Sequence, residues 1–310
     1  MTISRIAAAR VLAVAVTALS LSAPVLLSTS SAAPVADTRG AVSAPHRAVS
    51  PPDDHVTLPS RCHPNPANMP DRPLACYLNT FDKNRPTMLL WGDSHAWMFI
   101  PALKAAAAGK DVNLVAVVKG TCPAMTFGAN PPTKLDCYQF NKIALDLIKR
   151  VKKSGQPLRV VLGASWQRYL SALDDPASED GYTVKMAQYF KHGTPNLMTT
   201  LGKMHVRTDV IGQVGYPQGT LPACDRSDDP YACDLPRSQM IPDQGPTRTW
   251  LKNKMKALSG SPRYIDVNGE FCGPTVCHGF QDPVYTFFDN EHLSLTFSKS
   301  LKPLFTQSVP

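Results

Sequence analysis

The chain has 310 residues, 43% of them hydrophobic and 18% charged, a balance that excludes a coiled coil, a collagen and a disordered tail. Its length suits one large domain. The formal charge of +8, from 32 basic and 24 acidic residues, is dispersed without a like-charged block or a basic stripe interleaved with aromatics. That pattern argues against nucleic acid as a partner and reads as solubility and attraction to an anionic envelope surface.

Arg5 and Arg10 precede an apolar run from Val11 to Leu27 that ends in small residues, Ser28 to Ala33. This order predicts a secretory signal peptide over residues 1–33, with cleavage between Ala32 and Ala36, and an exported or cell-envelope protein. The run reaches the lower limit for spanning a bilayer, but Thr17, Ser20, Ser22 and Pro24 weaken an anchor reading. Residues 34–58, rich in Ala, Pro, Ser and Asp without an apolar period, are expected to be a flexible tether. The domain is assigned to 59–310, with packed structure from near Cys62.

Beyond the tether, bare apolar runs alternate with amphipathic stretches. Thr87 to Trp91, Asn113 to Val118, Leu158 to Leu162, Thr208 to Gln213 and Arg263 to Val267 read as strands buried on both faces. Ala96 to Ala108, Tyr138 to Lys153, Tyr182 to Leu201 and Thr247 to Leu258 read as helices, with a last helix after Ser294. In the second helix Phe140, Ile143, Ala144, Leu147, Ile148 and Val151 share one face, and Lys142, Lys149 and Lys152 point away. The alternation predicts an α/β fold, a five-stranded parallel sheet covered on both faces in a three-layer αβα sandwich. Ligands of such sheets bind at the carboxyl ends of the strands. The stretch from Tyr216 to Pro246, rich in Pro, Asp and Gly, is expected to be a specificity loop at that edge.

All eight cysteines follow the predicted signal, and an even count in an exported chain suggests disulfides. Many connectivities are open. Pairing in succession, Cys62 with Cys76, Cys122 with Cys137, Cys224 with Cys233 and Cys272 with Cys277, would close four short loops. The absence of any Cys-x-x-Cys pair argues against a metal site.

Two segments carry chemistry. Leu89-Leu90-Trp91-Gly92-Asp93-Ser94-His95-Ala96 sets Ser94 at a strand end and a helix start, where free backbone N–H groups favour developing negative charge. Asp289-Asn290-Glu291-His292-Leu293-Ser294 sets an acid and an imidazole three residues apart, so one turn can present His292 to a serine while Asp289 holds its other nitrogen. Each alone is ordinary: Gly-Asp-Ser is a common turn, and Asp289 or Ser294 could cap the final helix.

Together, Gly92-Asp93-Ser94 and Asp289-x-x-His292 resemble the SGNH, or GDSL, hydrolase superfamily. Leu90-Trp91-Gly92-Asp93-Ser94-His95-Ala96, Cys122-Pro123 with Cys137, Val161-Leu162-Gly163-Ala164-Ser165-Trp166, the Cys272 and Cys277 pair and Asp289-x-x-His292-Leu293-Ser294 look like the extracytoplasmic SGNH domain fused to acyltransferase-3 type membrane proteins, here as a free-standing exported domain. The resemblance covers Cys62 to about Thr306 and implies a flavodoxin-like sheet. It also implies Ser94 as nucleophile, His292 as base and Asp289 as its orienting acid, with acyl groups, commonly acetyl, added to or removed from hydroxyls of envelope carbohydrate or glycolipid.

The resemblance implies no metal or organic cofactor, and a membrane acyltransferase as a possible partner. The superfamily's Gly-x-Asn-Asp block is missing, since the matching strand end reads Gly163-Ala164-Ser165-Trp166. The N–H groups of Ser94 and Gly120 are therefore the expected oxyanion donors, with Ser165 and Gln167 in reserve. His95, a second base or a helix-start histidine packed beside the site, is expected to contact substrate, Trp166 either to stack on a sugar or to lie in the core, Asp93 to be a turn and cap residue, and Trp91 to lie in the core. The missing asparagine motivates a competing reading, a non-catalytic glycan-binding accessory protein that keeps the fold.

Overall fold

The computed structural model describes residues 53–217, 229–241 and 244–310. The first central strand, β2 (Thr87–Gly92), pairs in parallel with β3 (Asn113–Val118) on one side and β4 (Leu158–Gly163) on the other. All three are buried along their whole length, as their unbroken apolar sequences require. β5 (Arg207–Ile211) and β7 (Tyr264–Ile265) extend the sheet in parallel, and β1 (Cys76–Tyr77) adds an antiparallel edge to β3. The order is β1-β3-β2-β4-β5-β7. Its five parallel strands are the five expected ones, and their order is that of a flavodoxin-like sheet.

Alternation along β2 separates two cores. Met88 and Leu90 pack on one face with α1 (Ser94–Trp97), α2 (Ile100–Ala107), α8 (Leu295–Ser300) and α9 (Lys302–Phe305). Leu89 and Trp91 pack on the other with α3 (Asp136–Lys153), α4 (Trp166–Asp174), α5 (Gly181–Lys203) and α7 (Gly245–Met255). This is the expected three-layer sandwich. Asn141 joins helix to sheet on that second face: its Oδ1 accepts from the Trp91 indole at 3.0 Å and the Met125 N–H at 2.8 Å.

Several boundaries differ from expectation. The helix expected over Ala96 to Ala108 is two, because Pro101 has no N–H to continue the ladder and is accommodated only in the first turn of a new helix. α4 was not expected at all. β7 shrinks to two residues at the sheet edge. Two further antiparallel pairs, β6 (Leu235–Pro236) with β8 (Val276–Cys277) and β9 (Phe280–Gln281) with β10 (Val284–Tyr285), are too short for any period to register. Between β6 and α7 lies the single turn α6 (Arg237–Met240).

The tether assignment needs correction at its end. Packing begins at Asp54, ahead of Cys62: Val56 and Leu58 are buried in the core, and the Asp54 carboxylate accepts from the Thr296 N–H and hydroxyl at the start of α8. Two isolated apolar residues among prolines and aspartates carry no periodicity, yet each finds a tertiary pocket.

Cys62–Cys76, Cys122–Cys137 and Cys272–Cys277 are disulfides. The expected Cys224–Cys233 pair involves Cys224, which lies outside the described residues, as do the predicted signal peptide, the tether up to residue 52, and residues 218–228 and 242–243 of the expected specificity loop. No helix among the described residues is long and apolar enough to cross a membrane.

Candidate active site

The turn after β2 is built on close backbone contact. A Cβ at Gly92 would lie 1.7 Å from the Gly163 carbonyl oxygen and 2.9 Å from the Ala96 Cβ. At Gly163 it would meet the Ala96 Cα at 3.1 Å. Glycine at the ends of β2 and β4, with alanine on the facing turn, lets α1 start directly against the two central strands.

Asp93 fixes this turn from below. Its buried carboxylate caps α1 by accepting from the His95 N–H at 2.8 Å. It also ties in β4 and α4, accepting from the Ser165 N–H at 3.0 Å and the Tyr169 hydroxyl at 2.8 Å. Burial pushes the Asp93 carboxyl above its ordinary range even though these donors hold it down. The Tyr169 hydroxyl, buried beside that carboxyl, is pushed well above its own. With its oxygens occupied, Asp93 is the turn and cap residue that the sequence suggested.

Ser94 opens α1 and is partly exposed. The loop before α8 brings His292 against the same helix. The His292 ring lies 5.2 Å from that of His95 and 6.1 Å from that of Trp97, and Phe288 stacks on it at 5.8 Å with an interplanar angle of 18°. The Leu293 N–H contacts the Met98 sulfur, and the Ser298 hydroxyl donates to the Met98 carbonyl at 2.6 Å, so loop and helix are locked together.

Asp289 holds both the turn and the imidazole. Its Oδ1 accepts from the N–H groups of Glu291 at 2.8 Å and His292 at 2.6 Å, and its Oδ2 lies 2.8 Å from His292 Nδ1. Partial burial opposes ionisation of Asp289, but the hydrogen bond and charge of His292 and the two backbone donors hold its carboxyl below the ordinary range. An ionised carboxylate at Nδ1 fixes that nitrogen as the N–H and leaves the lone pair on Nε2. Nε2 is buried and makes no hydrogen bond, with Ser94 or any other group among the described residues. Such contacts are often long before substrate binds.

The N–H groups of Ser94 and Gly120 donate to no backbone carbonyl among the described residues. The Lys119 N–H donates to the Gly92 carbonyl at 3.2 Å, which sets Gly120 beside the end of β2. The reserve donors fare differently. The Ser165 N–H is taken by Asp93 and the Gln167 N–H by the Gln213 side chain at 2.8 Å.

Beside His95 lies a cavity of about 200 Å³, lined also by Ser165, Gln167, Arg168, Tyr216 and Glu291. Both His95 ring nitrogens are buried without a partner among the described residues, and burial followed by the nearby His292 holds its pKa well below the ordinary value, so the ring is neutral at neutral pH. Arg168 bonds Glu179 at 2.8 Å and lies 3.9 Å from Glu291, bridging two walls of the cavity. Tyr216 opens the expected specificity loop, whereas the sequence reading missed Arg168 and Glu291; the signal for the first was the three-residue spacing of Trp166, Tyr169 and Ala172, the buried face of α4. Trp166 decides between its two readings. It is fully buried and its indole donates to the Ile211 carbonyl at 2.8 Å, so it belongs to the core and offers no face to a sugar.

A family model described as SGNH domain (fused to AT3 domains) matches residues 61–307. No curated protein matches the chain. A similar solved structure is the periplasmic domain of a lipopolysaccharide acetyltransferase from Salmonella ser. Paratyphi A, 17% identical, with a TM-score of 0.47, covering 74% of this chain and 85% of that one. With the model spanning nearly all of the packed chain, the protein belongs to the family of SGNH domains that occur fused to AT3 domains.

Proposed function

We propose that the protein is an extracytoplasmic serine esterase or O-acyltransferase that acts on acyl groups, acetyl above all, of envelope carbohydrate or glycolipid through an acyl-enzyme on Ser94. The observation that carries this reading is the Asp289–His292 pair seated on the helix that Ser94 opens, with Nε2 buried and free to accept a proton.

In this mechanism Nε2 takes the Ser94 hydroxyl proton as Oγ attacks the acyl carbonyl, and Asp289 stabilises the imidazolium that forms. The oxyanion accepts from the N–H groups of Ser94 and Gly120. Collapse breaks the ester bond, and His292 returns the proton to the departing sugar oxygen. Water or a second hydroxyl, deprotonated by His292, then attacks the acyl-serine and frees Ser94. The acceptor decides between hydrolysis and transfer. The cavity lined by His95, Arg168, Tyr216 and Glu291 supports a place for the sugar beside α1. The family's fusion to AT3 domains supports a membrane acyltransferase as the source of acyl groups. The signal-like N-terminus and the disulfides support an extracytoplasmic location.

One observation favours the alternative of a non-catalytic glycan-binding protein. The end of β4 supplies no asparagine, and its Ser165 N–H is already taken by Asp93. Turnover of p-nitrophenyl acetate and of acetylated glycans, with and without sugar acceptors, decides between them. The proposal predicts turnover that falls at least ~10³-fold in Ser94→Ala and as far in His292→Ala, with the double variant no worse because the residues act as a unit. A folded wild type that turns over no short acyl ester and no glycan ester contradicts it.

A further inference from the structure

A second polar cluster sits at the amino ends of β4, β5 and β7, the end of the sheet opposite Ser94. Arg159 and Arg207 are register partners on neighbouring strands, and Asp209, two residues on from Arg207, shares their face. The buried Asp209 carboxylate is fully committed. Oδ1 accepts from Arg159 Nη1 at 3.0 Å and the Arg263 N–H at 3.3 Å, and Oδ2 from Arg263 Nη2 at 3.0 Å and the Ser308 hydroxyl at 2.8 Å. One carboxylate thus answers two guanidiniums, and the third, Arg207, forms no ion pair among the described residues.

A cavity of about 560 Å³ opens here, lined by Arg159, Arg207, Gly260, Ser261, Arg263 and Gln307, with no acidic side chain among the described residues on its wall. The Nε groups of Arg159 and Arg263 are buried without a partner among the described residues, and Arg159 is only 5% exposed. Burial lowers the pKa of Arg159 despite the opposing pull of Asp209. Buried guanidinium N–H groups left unpaired are costly, and the planar fork of arginine matches the oxygens of a phosphate.

We propose that this cavity binds a phosphate group, held by Arg207 and by the positive charge of Arg159 and Arg263 on its wall, at a site separate from acyl transfer. The bound charge would offset the excess of arginine over the single carboxylate. The phosphate chemistry is common to free phosphates and to lipid headgroups, so the test carries both.

Titration calorimetry of the intact exported protein with inorganic phosphate and pyrophosphate is compared for wild type, Arg207→Ala and Lys104→Ala, alongside sedimentation with phosphatidylglycerol vesicles. Arg207 is exposed, so its truncation leaves the buried Arg159–Asp209–Arg263 network in place. Saturable binding that weakens about tenfold or more in Arg207→Ala, is unchanged in Lys104→Ala, and leaves ester turnover untouched supports the site. Vesicle binding that also depends on Arg207 supports it with a lipid headgroup as the source. No phosphate binding at concentrations on the order of 10 mM, equal weakening in Lys104→Ala, or vesicle binding alone and indifferent to Arg207 overturns it.

Discussion

Replacing Gly92 by alanine tests how the turn bearing Ser94 is held. The added Cβ would stand 1.7 Å from the Gly163 carbonyl oxygen and 2.9 Å from the Ala96 Cβ, and opening the first contact even to 3.0 Å requires a movement of about 1.3 Å. Neither obstruction is the end of a flexible side chain, so the strand ends and α1 must separate. Overpacking typically costs ~1–3 kcal/mol, and the rigidity of these neighbours puts Gly92→Ala at about 3 kcal/mol or more. A displacement of ~1 Å at a reacting group costs about a hundredfold in rate. Gly120→Ala is the control, since the only obstruction there is the Met69 side-chain terminus at 3.3 Å, and it should change stability by ~0.5 kcal/mol or less. Urea unfolding read by tryptophan fluorescence gives the stabilities, and p-nitrophenyl acetate turnover gives the rates. A Gly92→Ala protein as stable as wild type, with rates within tenfold, would refute the close-contact account of the turn.

Two further predictions concern interactions away from that contact. Asp289 has a pKa in the folded protein below its unfolded value of 3.8, so its ionised form adds stability that is present above 3.8 and lost as pH falls through the depressed value. The stability difference between wild type and Asp289→Asn, followed by urea midpoints, should therefore shrink as pH falls below 3.8; a difference that stays constant or grows across that range contradicts the assignment. Asn141→Leu leaves the buried Trp91 indole and Met125 N–H without their shared acceptor, an expected loss of about 2–5 kcal/mol by chemical denaturation, and a loss below ~1 kcal/mol would show that the hub matters little.

The strands were legible because burial on both faces writes itself as unbroken apolar sequence: Leu89 and Trp91 serve one core, Met88 and Leu90 the other. Long helices such as α3 were legible by period. What escaped depends on contacts distant in sequence. α4 was hidden because Trp166 and its neighbours read as a strand end carrying a candidate sugar contact, whereas Trp166 is drawn into the core by its bond to Ile211. Asp93 read as a turn residue, but its bonds to Ser165 and Tyr169 became visible only with β4 and α4 in place. Val56 and Leu58 looked like parts of a tether because two apolar residues show no period. At the candidate site, the Asp289–His292 contact was legible from the three-residue spacing, while Arg168, Tyr216 and Glu291 come together from three separate segments that no local pattern links.

The central claim is that Ser94 is a nucleophile activated by His292. Mass spectrometry of the intact, disulfide-bonded protein after exposure to a fluorophosphonate tests it without assuming any substrate. The account predicts a single adduct on Ser94 in the wild type, absent in Ser94→Ala and strongly slowed in His292→Ala. No adduct on the folded wild-type protein, or labelling of Ser94 that is indifferent to His292, would contradict it.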